Sequence, residues 1–388
     1  MPSFPQTSTR LADGRELIYF DDPGTPPRER RADSRTLDAR PPTGTMRFDA
    51  LSGEWIAIAT ARQHRVHLPP AELDPLAPQT PANPSEMPDD YDVAVFENRS
   101  PSFGPDLRSD LGGDLRGDVG GERPRERAGF LELERPAYGR CEVVCFSPSA
   151  TGSFGTQSTL RARTIVEAWA ERTRALSAMP GVAQVFPFEN RGVEIGVTLQ
   201  HPHGQIYAYP TVPQRIRRII QSVDEHGAEL FAMILDAERA GPRVLLEGRH
   251  CTAFVPFAAR WPVEVQLMMH RQVPDLAATS EAERDELARM TLRIARGLDA
   301  LYGAPLPYIA GWLQAPVAQH RDAVRLTWQV TSPRRAVDRL KFLAGSEAMM
   351  GAWIADIQPE EGAARLRDAI ARADEEHPVE PLPTEVAP

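Results

Sequence analysis

The sequence predicts an α+β protein, built from antiparallel sheets with flanking helices. Two observations carry this reading. Short runs that alternate apolar and polar residues recur along the chain, and longer helical stretches with their own stop signals separate them. Residues 91–96 and 141–146 read as strands by alternation. Residues 159–179 read as a helix ended by Pro180 and Gly181. Pro213 opens another helical stretch, running to residue 240 and closed by Gly241 and Pro242. Residues 252–257 and 263–268 suggest two more strands. Ser280 with Glu283 makes a capping box, and the helix behind it puts Leu287, Met290, Ile294, Leu298 and Leu301 on one stripe.

The 388 residues suffice for two domains or one large duplicated one, and 41% are apolar, enough for a substantial core. No apolar run is long enough to cross a membrane. The first residues lack the basic-then-apolar pattern of a signal peptide. Three cysteines are too few for a disulfide framework, so a reducing, cytoplasmic setting is expected. A net charge of −10 argues against nucleic acid as a partner, since a basic face is the usual footprint. It leaves room for a small nucleotide held by a few local arginines.

An arm, a loop and a tail follow from composition. Residues 1–45, rich in Pro, Arg, Asp and Thr, read as an extended arm, with Leu17-Ile18-Tyr19-Phe20 as the one piece able to dock as a strand. Between arm and tail the order of strands and helices is consistent with two similar α+β halves, residues 46–212 and 213–372. Residues 104–128, with repeated Asp-Leu-Arg and Gly-Asp units, read as a solvated loop in the first half. Residues 373–388, acidic and Pro-rich, read as a disordered tail.

The richest stretch chemically is Gln200-His201-Pro202-His203-Gly204-Gln205. It follows an apolar run, residues 195–199, and is expected to continue or end a strand. Alternation would then put His201, His203 and Gln205 on one face. A neutral imidazole can attack phosphorus, and polar neighbours can orient it and hold the phosphoryl oxygens.

These residues resemble the signature of galactose-1-phosphate uridylyltransferases, the transferase branch of the histidine-triad superfamily. The resemblance extends to Phe188-Glu189-Asn190-Arg191-Gly192 and to the segments 47–55, 307–312 and 341–347. It implies two similar histidine-triad-like halves, although no repeat is visible by residue identity. It implies ping-pong transfer of UMP between UDP-glucose and galactose 1-phosphate, with His203 as nucleophile and Gln205 donating to the phosphoryl oxygens. A main-chain carbonyl across the His-Pro-His turn could fix the His203 tautomer. By the same resemblance Arg62 and Arg65 meet phosphate oxygens, Asn98 the nucleoside, and Asn190 the phosphates. Gly196 and Thr198 line the approach, and Lys341, Ala344 and Glu347 fall on a sugar-contacting loop. Family members are homodimers that share this loop between subunits, so a homodimer is expected, with a nucleotide sugar and a sugar 1-phosphate as small-molecule substrates.

The chain departs from the family at its metals. Where members carry a CxxC pair, this chain reads Asp74-Pro75-Leu76-Ala77, and the Ser-Pro-x-His segment reads Ser147-Pro148-Ser149-Ala150. Of that zinc set only His201 remains, and tetrahedral zinc needs four ligands, or three plus water. For a second site, Leu313 stands where members often have histidine, and the strand Arg325-Leu326-Thr327-Trp328-Gln329 has none. No cofactor or metal is expected, and His201 is expected to orient the loop. Cys141 and Cys145, on one strand, are expected in the core. The rival readings are a nucleotidyltransferase or phosphorylase with another sugar or nucleotide, and a non-catalytic nucleotide-sugar-binding protein.

Overall fold

The computed structural model describes residues 4–40, 43–60, 70–104 and 131–382. Its strands are β1 Gln6–Arg10, β2 Glu16–Phe20, β3 Thr45–Asp49, β4 Glu54–Ile58, β5 Val93–Glu97, β6 Glu134–Pro136 and β7 Arg140–Cys145. Helix α1 Thr159–Ser177 follows, then β8 Gln184–Arg191 and β9 His203–Tyr209. Helices α2 Gln214–His226 and α3 Leu230–Arg239 lead into β10 Val244–Glu247, β11 Cys251–Phe254 and β12 Val263–Met269. The chain goes on through α4 Glu281–Ala300, β13 Tyr308–Leu313, β14 Thr327–Ser332, β15 Arg334–Ala336, β16 Arg339–Leu340, α5 Gly345–Met350 and α6 Pro359–Glu376.

One antiparallel sheet dominates, in the order β1-β2-β5-β7-β9-β8-β13-β14-β12-β11-β10. Helices α1 and α4 lie together on one face of it, and α6 packs on α4. Their stripes meet the inward side chains of the strands in one cluster that includes Ile165, Trp169, Leu287, Ile294 and Leu298 with Val144, Ile206 and Val265. The capping box at Ser280 forms as expected.

Several expectations are corrected. The arm contributes two strands, not one: Leu17 to Phe20 dock against β5 as expected, and the polar Gln6–Arg10 pairs outside them. Arginines pin the rest of the arm, among them Arg30 to Asp21, Arg35 to Asp33 and Glu86, and Arg40 to Glu97. The helical stretch 213–240 is broken at Gly227, whose φ of +97° a helix cannot take. Helix α6 runs through the start of the expected tail, Asp374 pairs with Arg293, and Leu382 is buried. The loop 104–128 lies outside the described residues apart from Gly104. No described helix is long and apolar enough to cross a membrane.

Candidate active site

The strand carrying the histidines begins at His203, two residues later than a shared face for His201 requires. Residues 193–195 make a single 3-10 turn, closed by Gly196 at φ +82°, and the chain reaches His203 without strand pairing. His203, Gln205 and Tyr207 do share a face, since exposure alternates along β9. His201 instead turns inward and is 3% exposed.

Each histidine is held by a different device. The His203 Nδ1 lies 2.7 Å from the main-chain carbonyl of His201. A carbonyl only accepts, so Nδ1 carries the proton and Nε2 the lone pair. Gly204 lets this hairpin close: a Cβ there would stand 3.0 Å from the Phe188 carbonyl oxygen and from the Phe146 ring. His201, in turn, is clamped. Its Nδ1 is 2.7 Å from Asp74 Oδ2, and its Nε2 is 2.7 Å from the Ser147 carbonyl and 3.1 Å from the Tyr91 hydroxyl. Asp74 also accepts from the Leu76 N–H. Burial raises the Asp74 pKa, but the hydrogen bond and charge of His201 and the backbone N–H groups outweigh it, and the carboxyl stays below its ordinary range. The Tyr91 hydroxyl lies 2.7 Å from the Leu76 carbonyl, and burial pushes its pKa well up.

The other expected residues divide. Phe188 pairs with Gln205, so the register carried two residues along β8 sets Asn190 level with His203. Thr198 lies on the loop between Gly196 and His201. Asn98 follows β5, and its side-chain oxygen accepts from the Ser100 N–H. Lys341 and Glu347 are both buried and 3.3 Å apart. Lys341 also donates to the carbonyls of Arg260 and Ile354, and the other Glu347 oxygen accepts from the Ala344 N–H. Glu347, expected on a sugar-contacting loop, is therefore engaged within that loop. Arg62 and Arg65 lie outside the described residues. Sequence reasoning missed Tyr91 and the engagement of Asp74. Asp74 lies 127 residues from His201, and no spacing rule joins them.

Against known proteins, the sequence profile of the galactose-1-phosphate uridyl transferase N-terminal domain matches residues 37–213, and that of the C-terminal domain matches residues 218–379. The chain belongs to the galactose-1-phosphate uridylyltransferase family. It is 40% identical to galactose-1-phosphate uridylyltransferase of Streptomyces lividans, over 94% of this chain and 97% of that protein. It is 32% identical to the enzyme of that name from Thermotoga maritima, over 83% and 98%. A solved uridylyltransferase superposes with a TM-score of 0.72 at 29% identity, covering 84% of this chain and 99% of the other.

The family's zinc position can now be tested against the residues that occupy it here. His201 Nδ1 faces a carboxylate oxygen, and its Nε2 faces a main-chain carbonyl and a phenol hydroxyl, so the groups around it are one carboxylate, a carbonyl and a phenol. Among the described residues no group of three His, Cys, Asp or Glu could hold a metal ion. Cys145 is fully buried, and burial raises its thiol pKa. This donor set does not fit zinc. Asp74 crosses to His201 at the position where the resemblance places a metal ligand. Cys141 and Cys145 sit in the core with thiols unbonded to one another, as their place on one strand implies.

Proposed function

We propose that this family member transfers a uridylyl group between UDP-glucose and galactose 1-phosphate through a covalent intermediate on His203. The observation that carries the reading is the 2.7 Å contact from His203 Nδ1 to the His201 carbonyl, which directs the lone pair of Nε2 outward from the turn. In the first step Nε2 bonds to the α-phosphorus, the bond to the bridging oxygen breaks, and glucose 1-phosphate leaves with that electron pair. In the second, a phosphate oxygen of galactose 1-phosphate attacks the same phosphorus and the P–N bond breaks. Splitting the displacement lets one site serve both sugars. Gln205, on the same face, donates its amide to the phosphoryl oxygens and takes no proton. In this reading Asn190, level with His203, does the same.

The reading includes three further parts. The site works without a metal, because the Asp74–His201–Ser147 clamp already holds the turn. The chain acts as a homodimer, since Phe342, Met349, Met350 and Ile354 stand 57–85% exposed beside the Lys341 loop. The three cysteines, all buried and free, suit a cytoplasmic setting. Initial rates measured over a grid of both substrates test the mechanism. Parallel double-reciprocal lines are expected, while lines that intersect would mean direct transfer in a ternary complex.

A further inference from the structure

Residues that stand level across a sheet put their side chains on the same face, so the strand registers trace rows outward from His203. His203 is level with Cys145 and Ala94, and Gln205 with Val143 and Phe96. The N-terminal arm adds the next member of each row, Tyr19 beside Ala94 and Leu17 beside Phe96. The apolar members of both rows pack with Tyr91, which holds the His201 ring. A third row runs from Tyr207 to Cys141 and reaches Asn98, whose N–H donates to the Cys141 carbonyl at 2.8 Å. Asn98 therefore stands on the face of His203, two strands away, about 10 Å across the sheet. The β2–β5 register, carried two residues past Leu17 and Phe96, sets Arg15 level with Asn98.

Two arginines of the arm grip the end of β5. Arg15 is buried, and each of its nitrogens has a partner: Nη1 donates to the Glu97 carbonyl at 2.8 Å, Nη2 to Glu86 at 2.6 Å and Nε to Asp13 at 2.8 Å. The same guanidinium lies 5.8 Å from the centroid of the Phe96 ring. Arg40 donates from Nη2 to Glu97 Oε1 at 2.5 Å, and that nitrogen is 3.5 Å from the Asn98 carbonyl. Glu97 is itself buried, so its carboxylate depends on this guanidinium and on Arg140 at 4.0 Å. A planar fork that spans a carboxylate and a main-chain carbonyl fixes position as a point charge does not. Beyond the grip, Asn98 Oδ1 accepts from the Ser100 N–H at 3.0 Å, which sets the plane of its amide. Neither grip is local: 82 residues separate Arg15 from Glu97, and 57 separate Arg40 from it.

We propose that the arm is a positioning element for the nucleoside end of the His203 site, in which Arg15 and Arg40 fix the Glu97–Asn98 peptide so that the Asn98 amide meets the bound nucleoside. The proposal rests on the reading of Asn98 as a nucleoside contact, and it holds whether or not His203 is modified covalently. Neither arginine touches the nucleotide. Both act through Asn98, so their loss is felt in the affinity for the uridine part of a substrate and not in the affinity for a sugar phosphate.

Calorimetric titration of the full chain with UDP tests it, in a cycle of Arg40→Ala, Asn98→Ala and the double variant. Arg40 is chosen because its side chain is 21% exposed, against 0% for Arg15, so the fold should tolerate its loss. Arg40→Ala should weaken UDP binding by about tenfold, the effect of one lost hydrogen bond to a charged group, and leave the KM for galactose 1-phosphate unchanged. The double variant should bind UDP no more weakly than Asn98→Ala, because an effect that passes through one residue is lost only once. Circular dichroism checks that each variant is folded. If Arg40→Ala is not, Arg40→Gln, which keeps an amide donor, takes its place in the cycle. Wild-type UDP affinity in Arg40→Ala, beside a weakened Asn98→Ala, would overturn the role of the arm and leave that of Asn98. Losses that add in the double variant would overturn the route through Asn98. A KM for galactose 1-phosphate that rises as far as UDP affinity falls would mean a general loosening of the site, and would overturn the proposal too. Asn98→Ala that binds UDP as wild type does would remove the nucleoside reading of Asn98, and the proposal with it.

Discussion

At the scale of single residues, one carbonyl does two jobs. It belongs to His201, whose ring is clamped, and it receives the proton of His203. Disturbing the clamp should therefore reach the nucleophile without touching it. Asp74→Asn removes the buried carboxylate from a pair whose side chains are 10% and 1% exposed. Losing a buried hydrogen bond to a charged group costs about 1.5–3 kcal/mol. A fall in melting temperature is expected, together with a lower kcat, and a chelator should change neither value in wild type. Asp74→Asn matching wild type in both would show that the clamp does not position the turn. Glu189 offers a second test. Burial pushes its pKa up from 4.5 to about 7, against the lowering effects of the Tyr308 hydrogen bond and Arg191. A carboxyl raised in the folded state contributes stability below its unfolded pKa and loses it as pH rises through the folded one. Between pH 4.5 and about 7 the protein should therefore lose about 3 kcal/mol from this group. Glu189→Gln should flatten that slope in urea titrations at successive pH values. An unchanged slope would mean that Glu189 is ionised throughout.

At the scale of elements, the sequence was most legible where a period was long or a stop signal was strong. Helix α4 could be read from its capping box and its Leu287-to-Leu298 stripe, and α1 from Pro180 and Gly181, because these signals are local. The strands β5, β7, β11 and β12 lie within a few residues of their expected places. Strand β1 was illegible: Gln-Thr-Ser-Thr-Arg has no apolar face and is held at the sheet edge by backbone pairing with β2. The break between α2 and α3 was missed because a single Gly inside a helical pattern is usually tolerated. The site divides in the same way. The motif identified His203, Gln205 and the accepting carbonyl, since they are neighbours in sequence. The partners of His201 come from residues 74, 91 and 147 and meet only through the fold. Family resemblance, and not pattern, supplied Asn190.

At the scale of the whole molecule, an internal repeat of strand order about the β8–β13 pair explains the sheet order. On either side of the β8–β13 pair five strands and one long helix repeat in matching order, and His203, the proposed nucleophile, lies on one side alone. Association should follow from the apolar segment around residues 342–354. Sedimentation velocity should show a dimer at micromolar concentration, and Met349→Glu/Met350→Glu should shift it toward monomer. A wild-type monomer of full specific activity across dilution would remove the shared-site reading. The central claim is the covalent step at His203, and intact-mass spectrometry after brief incubation with UDP-glucose alone tests it most directly. The account predicts a mass increase of one uridylyl group, acid-labile and reversed by galactose 1-phosphate, which peptide mapping places on His203 and which His203→Gly lacks. An unmodified wild-type chain that still turns over both substrates, or a label that persists in His203→Gly, would contradict it.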